Sequence, residues 1–216
     1  MLHVTCFVLY KKIMINKFKA KSLKLRLTRF VIYYVIFALL AFFSYPQVAS
    51  AGNLTALSDV LTRLKVSTLS SHDILFTLAA ANTYVAGETI TVDFDEDGGK
   101  FSIGAGSAIA DFDFNDGTER VIYNVGASTD CTGSVGANDI SVGVNDTTGL
   151  VTFLACPSFI NDPAATVNIE YGTAATGGTN RVTNPAAAAN YVIPIAGTFG
   201  DTGQFAVVIV TDDQVV

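Results

Sequence analysis

The chain has 216 residues, no tryptophan and a formal net charge of −6. All nineteen acidic residues follow position 51, but only five of the thirteen Lys and Arg do, so residues 52–216 carry a net charge of −14. This composition excludes nucleic acid and anionic lipid as expected partners, because five basic residues neutralise few phosphates.

The first 51 residues have the pattern of a secretory signal peptide. Basic residues in 11–29 precede an apolar run at 30–43, and Ala49 and Ala51 form an A-x-A cleavage site. The alternative is an uncleaved anchor, which would be the chain's only link to a membrane. The run is shorter than the ~20 apolar residues of a spanning helix. We therefore predict cleavage after Ala51, a single domain at 52–216, and a location outside the cell or in its envelope.

Two cysteines follow the predicted cleavage site. Cys131 and Cys156 form an even pair in a chain destined for an oxidising compartment, which predicts one disulfide rather than two free buried thiols. A structural zinc site is disfavoured, because His72 is the only other soft ligand after position 51.

Short β-rich runs separated by Gly, Asn, Asp and Ser dominate the exported part. Alternation of apolar and polar residues, as at 89–94 and 165–171, is the signal of a half-buried strand. About nine such strands predict an all-β fold, an antiparallel β-sandwich, with a closed barrel as the rival. The run 206–210 is apolar on both faces, which predicts a central strand.

Two segments depart from this pattern. Leucines at helical spacing in 53–64, with Asn53 as a cap, favour a short helix over an N-terminal strand. The segment 172–190 is rich in Gly, Ala, Thr and Asn, which predicts a long surface loop.

Two acidic segments, 91–98 and 110–117, are the candidate site of the chain. Each begins as an alternating strand and ends in a Gly turn, and the first opens like a D-x-D-x-D-G calcium loop. Neither carries a Glu at the twelfth loop position, so these are not EF-hands. Calcium would relieve repulsion between facing carboxylates in an acidic hairpin spanning Asp93–Asp116; the alternative is a plain acidic strand face followed by turns. The candidate ligands are Asp93, Asp95, Asp97, Asp111, Asp113 and Asn115.

Catalytic motifs are not evident in the sequence. His72 is the only histidine of the exported part, and its place before a predicted strand is typical of a surface or capping residue. The nucleophile motif G-x-S-x-G does not occur, and Gly104–Gly106 lacks the Lys and helix of a phosphate-binding loop. We therefore predict that the protein is not an enzyme.

Four stretches follow the signal pattern in order: LSDVLTRLK at 57–65, HDILFT at 72–77, AGETITVDF at 86–94 and FGDTGQFAVVIV at 199–210. In this order they resemble the leading Ig-like modules of secreted bacterial surface proteins. The resemblance implies an Ig-like sandwich with a structural role in the envelope. Further β-domains usually follow such modules, so the chain is expected to be either complete or the first module of a longer protein.

These observations favour a secreted or cell-surface structural or adhesive domain, with other surface proteins or further copies of itself as partners. The second hypothesis is a calcium-dependent module that binds carbohydrate or protein through the acidic hairpin. In both cases the strands would present loops, chiefly 124–149 and 172–190, as contact surfaces.

Overall fold

A computed structural model describes residues 52–79, 84–96, 101–134, 136–157, 159 and 166–212. The predicted signal peptide and Asp97 lie outside the described residues. Within the described residues there are thirteen strands and two short 3-10 turns, Ile109–Asp111 and Gly172–Ala174. The strands are β1 (Thr55–Leu61), β2 (Leu69–Ser70), β3 (His72–Thr77), β4 (Thr89–Asp93), β5 (Ser102–Ile103), β6 (Phe112–Asn115), β7 (Val121–Gly126), β8 (Asp139–Asn145), β9 (Leu150–Ala155), β10 (Thr166–Tyr171), β11 (Val182–Thr183), β12 (Ala189–Ala196) and β13 (Gly203–Ile209).

The strands form three sheets. The order is β1-β3-β10-β6 in a four-stranded sheet, β13-β12-β4-β9-β8-β7 in a six-stranded sheet, and β2-β11-β5 in a small third sheet. Every neighbouring pair is antiparallel except β7 and β8, which run parallel. The prediction of an all-β sandwich is confirmed.

The core lies between the two large sheets, because alternate residues of their strands are buried. In β9, Val151, Phe153 and Ala155 are buried while the residues between them are partly exposed. The ring of Phe153 contacts the rings of Phe112 and Phe114 in β6, with centroids 5.9 and 5.7 Å apart. Each such buried Phe contributes about 1.5–3 kcal/mol of hydrophobic stabilisation.

The predicted helix at 53–64 is wrong: this segment contains β1. β1 pairs with β3 as an edge strand, and the pairing is interrupted between Thr55 and Ser58, where Ala56 has a φ of +52°. The helical spacing of the leucines did not decide the structure, because residues 58–61 and Thr55 pair with β3 in the folded domain.

The predicted central strand, β13, lies at an edge of the six-stranded sheet. Among the described residues, backbone hydrogen bonds reach its open side at its two ends: Leu54 N–H donates to the Thr202 carbonyl, and Val66 N–H donates to the Val210 carbonyl. These contacts limit the length of edge that is open to pairing with another chain.

A disulfide joins Cys131 and Cys156, as predicted. It anchors residues 127–134 over the outer side of β8, where Asp130 N–H donates to the Ser141 hydroxyl at 2.7 Å. This cover explains why β8 is buried on both faces, although neighbouring strands of the sheet are buried on only one.

Candidate functional site: an acidic sheet face

The first acidic segment ends strand β4. Asp93 is the last residue of the strand, and its Oδ1 accepts a hydrogen bond from Asp95 N–H at 3.0 Å, which closes a local turn. Phe94, between them, is buried in the core, and its N–H donates to the Gly149 carbonyl. Asp93 and Asp95 are therefore both partly exposed at one end of the six-stranded sheet.

The second acidic segment lies in the other large sheet. Asp111 closes a 3-10 turn, and Asp113 and Asn115 belong to β6, whose sheet partner is β10. The two segments therefore form no hairpin, and the placement of their acids on adjacent strands is wrong. Among the described residues, no group of three His, Cys, Asp or Glu is arranged to hold a metal ion. Calcium binding by the first segment stays a prediction, because that segment includes Asp97.

The carboxylate of Asp111 is buried and holds a loop. Its oxygens accept hydrogen bonds of 2.7–2.8 Å from the backbone N–H groups of Ala108, Thr179 and Asn180, and from the Asn180 side-chain amide. Burial by itself would raise the pKa of Asp111, but these four donors together hold it below its ordinary value. A carboxylate held in this way serves to fix the backbone around it.

The loop held by Asp111 is residues 172–180, which we call the clasp segment. It follows β10 through Gly172, where φ is +84° and a Cβ would approach the Asn180 carbonyl oxygen to 2.7 Å. The clasp segment is also held at a second point, where Asp113 Oδ2 accepts a hydrogen bond from Thr176 N–H at 2.7 Å. The expected long surface loop at 172–190 is thus fixed at several points, and it also contains β11 with the buried Val182.

Three carboxylates form a row across the outer face of the four-stranded sheet. Glu170 in β10 lies directly opposite Asp73 in β3 on one side and Asp113 in β6 on the other. We call these three residues the acid row. Partial burial raises the pKa of Glu170, and the negative charges of Asp73, Asp113 and nearby Glu119 raise it further.

The acid row borders a surface cleft of about 230 Å³, lined by Asp113, Phe114, Asn115, Glu119, Asn168, Glu170 and Thr176. The charged side chains among the described residues that line the cleft are all acidic: Asp113, Glu119 and Glu170. Sequence reasoning found Asp113 and Asn115 but missed Glu170 and Asp73. The sequence shows that each of these two acids alternates with apolar residues in its own strand. That Glu170 and Asp73 face each other depends on the register between β10 and β3, which the sequence does not show.

His72 is buried in β3 and is neither a surface nor a capping residue, contrary to the sequence interpretation. Its Nδ1 lies 2.7 Å from Asp59 Oδ2, and both side chains are fully buried. Its ring packs edge-on against Phe94 and Phe101, with centroids 4.9 and 5.8 Å away. His72 thus connects β1, β3 and the residues flanking β4 and β5.

A buried salt bridge lies near the β6–β7 connection. Arg120 binds both oxygens of Asp116 at 2.6–2.7 Å and donates to the Asn138 side chain at 2.6 Å. Its guanidinium lies 4.3 Å from the centre of the Phe159 ring. Near this pair, burial raises the pKa of Tyr84 well above its ordinary value, and the charge of Asp116 adds to the effect.

In the described part of the chain, no helix has the length and apolar character needed to cross a membrane.

No protein-family model matches the chain, and no curated protein matches it either. Solved structures do match, at low identity. They include the bacterial hydrophobin BslA (9% identity, 73% of this chain and 97% of that one, TM-score 0.38) and the Bacillus cereus major pilin subunit BcpA (12%, 73% and 40%, TM-score 0.41). A collagen-binding domain from a Staphylococcus aureus adhesin also matches (8%, 69% and 95%, TM-score 0.33). At these TM-scores we base no functional conclusion on the likeness.

Proposed function

We propose that the chain is an exported structural or adhesive domain of the cell surface and acts without catalysis. Its two large sheets form the scaffold, a disulfide fixes residues 127–134 on the six-stranded sheet, and the outer faces and fixed loops are the contact surfaces. The N-terminal sequence pattern supports export, and the exported part carries the charge of −14 expected of a soluble, strongly acidic surface.

The observation that carries this proposal is the use of the buried charged and imidazole side chains. In the described residues these are His72 with its partner Asp59, Asp111, Asp116, Arg120, Asp139 and Asp201. Each holds a strand or a loop: for example, Asp201 accepts from Ala79 N–H at 2.8 Å, and Asp139 accepts from the Ser134 hydroxyl at 2.6 Å. This use of buried polar groups is that of a scaffold, whereas catalytic groups must reach a substrate.

The acid row is the surface feature that best suits a contact role. Its carboxylates lie directly opposite one another at a cost in stability, since like charges on facing strands repel. A partner with basic groups would relieve that repulsion. The clasp segment borders the same cleft through Thr176, which gives this surface a fixed rim.

The test is the location and processing of the full chain with a C-terminal tag in a bacterial host. We expect the tagged protein outside the cytoplasm, beginning at Gly52 on N-terminal sequencing, and accessible to protease added to intact cells. The matched control, Ala49→Arg with Ala51→Arg, removes the small residues of the cleavage site and should yield an unprocessed chain. An intact N-terminus and a protease-resistant cytoplasmic pool of the wild type would contradict the proposal.

A further inference from the structure

Residues 52–54 are docked beside the start of strand β13, and we call them the docked segment. The Thr202 N–H donates to the Gly52 carbonyl at 3.1 Å, and the Leu54 N–H donates to the Thr202 carbonyl at 2.9 Å. Between these two bonds, Asn53 forms a parallel bridge with Thr202. The side chain of Leu54 is buried in the core, where Leu54 is 5% exposed. Backbone hydrogen bonds and one buried side chain therefore hold the segment.

The first residue of β13 is a glycine, and this allows the close approach of Leu54. A Cβ at Gly203 would lie 2.9 Å from Leu54 Cβ and 2.6 Å from Leu57 Cδ2, which is closer than side-chain atoms pack. Glycine has no Cβ, so the docked segment can lie directly against the β13 backbone. The docked segment is thus part of the packed fold, unlike a chain end that lies loosely on the surface.

The docked segment begins directly after the predicted cleavage site, so Gly52 is the first residue on the carboxyl side of the Ala51–Gly52 bond. A protease has to hold residues on both sides of the bond it cleaves in an accessible, extended form. Backbone that is hydrogen-bonded inside its own fold is not available for this. In a folded chain, cleavage here therefore requires the docked segment to open locally and to take Leu54 out of the core.

We propose that the docked segment shields the Ala51–Gly52 bond from the signal peptidase, so that processing has to precede docking. Cleavage hydrolyses this amide: water adds its hydroxyl to the Ala51 carbonyl carbon, and Gly52 leaves as an amine. A chain that is cleaved first is released, whereas a chain that folds first keeps its apolar run at 30–43 as a membrane attachment. The order of the two events decides between a released and an attached form. This inference rests on the export proposed above and adds its sequence of steps.

The test incubates the full chain, purified in detergent with its disulfide formed, with a purified bacterial signal peptidase. The unfolded reference is Phe76→Asp, which puts a charge at a core position that is 0% exposed and leaves the residues around the bond unchanged. The folded wild type should be cleaved at least about 100-fold more slowly than this reference, because cleavage follows the small population of the open form. A flexible Gly-Ser spacer of about eight residues, inserted between Ala51 and Gly52, should restore fast cleavage of the folded chain.

Leu54→Ala should speed cleavage of the folded chain by about 10-fold, because it weakens docking.

The matched control is Val66→Ala, near the β13 end that lies away from the bond, where Val66 N–H donates to the Val210 carbonyl and its side chain packs against the core. It should leave the cleavage rate within about 2-fold of the wild type. Circular dichroism checks that both variants fold, and the spacer chain supplies the test if Leu54→Ala does not. Equal cleavage of the folded wild type and Phe76→Asp would overturn the proposal, as would equal acceleration by both variants. If Phe76→Asp is not cleaved at this bond, the signal peptide itself is refuted, and this proposal with it.

Discussion

Asp111 shows how a single buried carboxylate can fix two separate parts of the chain. It closes the 3-10 turn before β6 and binds the far end of the clasp segment, 68 and 69 residues later in sequence. Hydrogen bonds to an ionised acceptor are worth about 1.5–3 kcal/mol each in favourable cases, and they are costly to leave unmade in a buried site.

Asp111→Asn should therefore lower the free energy of unfolding at pH 7 by about 2–4 kcal/mol, since one of its acceptor oxygens becomes an amide donor facing N–H groups. Because the folded-state pKa of Asp111 is lowered, its stabilisation is complete above the unfolded pKa near 4 and is lost as pH falls through the folded value. Urea unfolding at pH 7 and pH 3 measures both effects.

Asp113→Asn is the matched control, because Asp113 receives a single exposed contact from Thr176. The Asp113→Asn change should lower the free energy of unfolding by less than about 1 kcal/mol. If the two variants lose the same free energy of unfolding at pH 7, Asp111 does not hold the clasp segment as described.

Glu170 is predicted to reduce stability at neutral pH. Its pKa is raised by partial burial and by the charges of Asp73, Asp113 and Glu119, so the folded state binds its proton more tightly than the unfolded state. The unfavourable contribution is complete above the raised pKa and is relieved as pH falls through it. Glu170→Gln should therefore stabilise the protein by about 0.5 kcal/mol at pH 7, a modest figure because water screens the row.

Thermal melts from pH 7 to pH 3.5 measure this difference, which should shrink toward zero at the acidic end, where wild-type Glu170 is protonated. It should also shrink in high salt. The control is Glu96→Gln, an exposed turn residue outside the acid row. A destabilised Glu170→Gln at pH 7, or a gain that grows as pH falls, would refute the assignment of repulsion to this row.

At the scale of elements, alternation and short apolar runs between turns located the nine longer strands from β3 to β13, but they missed β1, β2, β5 and β11. The last three have two residues each and exist only because they pair with one another in space. No pattern of period two can be seen in two residues. β1 was missed because leucines spaced as in a helix also suit a strand interrupted by a bulge.

The candidate site was only partly visible for a related reason. The acids and turns of both segments could be found in the sequence, but the sheet that each strand joins could not. β4 pairs with β12 and β9, whereas β6 pairs with β10, and such long-range partners follow from packing of the whole domain. The buried His72–Asp59 pair was hidden too, since Asp59 comes from β1, which the leucine spacing had assigned to a helix.

The disulfide connects the cover of β8 to the end of β9, and its removal should be measurable. Closing a separation of 25 residues contributes about 3–4 kcal/mol in the loop-entropy model. Cys131→Ala with Cys156→Ala should therefore lower the melting temperature by roughly 8–14 °C for a domain of this size. A reducing agent should produce a similar fall in the wild type and none in the double variant. A variant that melts like the oxidised wild type would show that residues 127–134 are held without the bond.

In the described residues, the acid row crosses the four-stranded sheet, whereas Asp93 lies at the end of a strand in the six-stranded sheet. This separation bears on calcium. A metal site that joined both acidic segments would need their carboxylates close together. Asp93 and Asp113 belong to different sheets, and among the described residues no group of three acids is arranged to hold a metal ion. The part of the calcium prediction that is still to be tested therefore belongs to the first segment, Asp93, Asp95 and Asp97.

Melting residues 52–216 in EDTA and then in millimolar calcium tests that prediction. With free calcium ~100-fold above the dissociation constant, binding adds about 2.7 kcal/mol to the native state. For this domain that is a rise of roughly 5–10 °C in the melting temperature. If calcium binds at the first segment, the rise in melting temperature should disappear in Asp95→Asn and persist in Asp113→Asn, because only Asp95 lies in that segment. Equal melts in EDTA and calcium would reject the calcium-dependent binding module. They would leave the acidic residues with the scaffold roles that the hydrogen bonds of Asp111 and Asp113 already show.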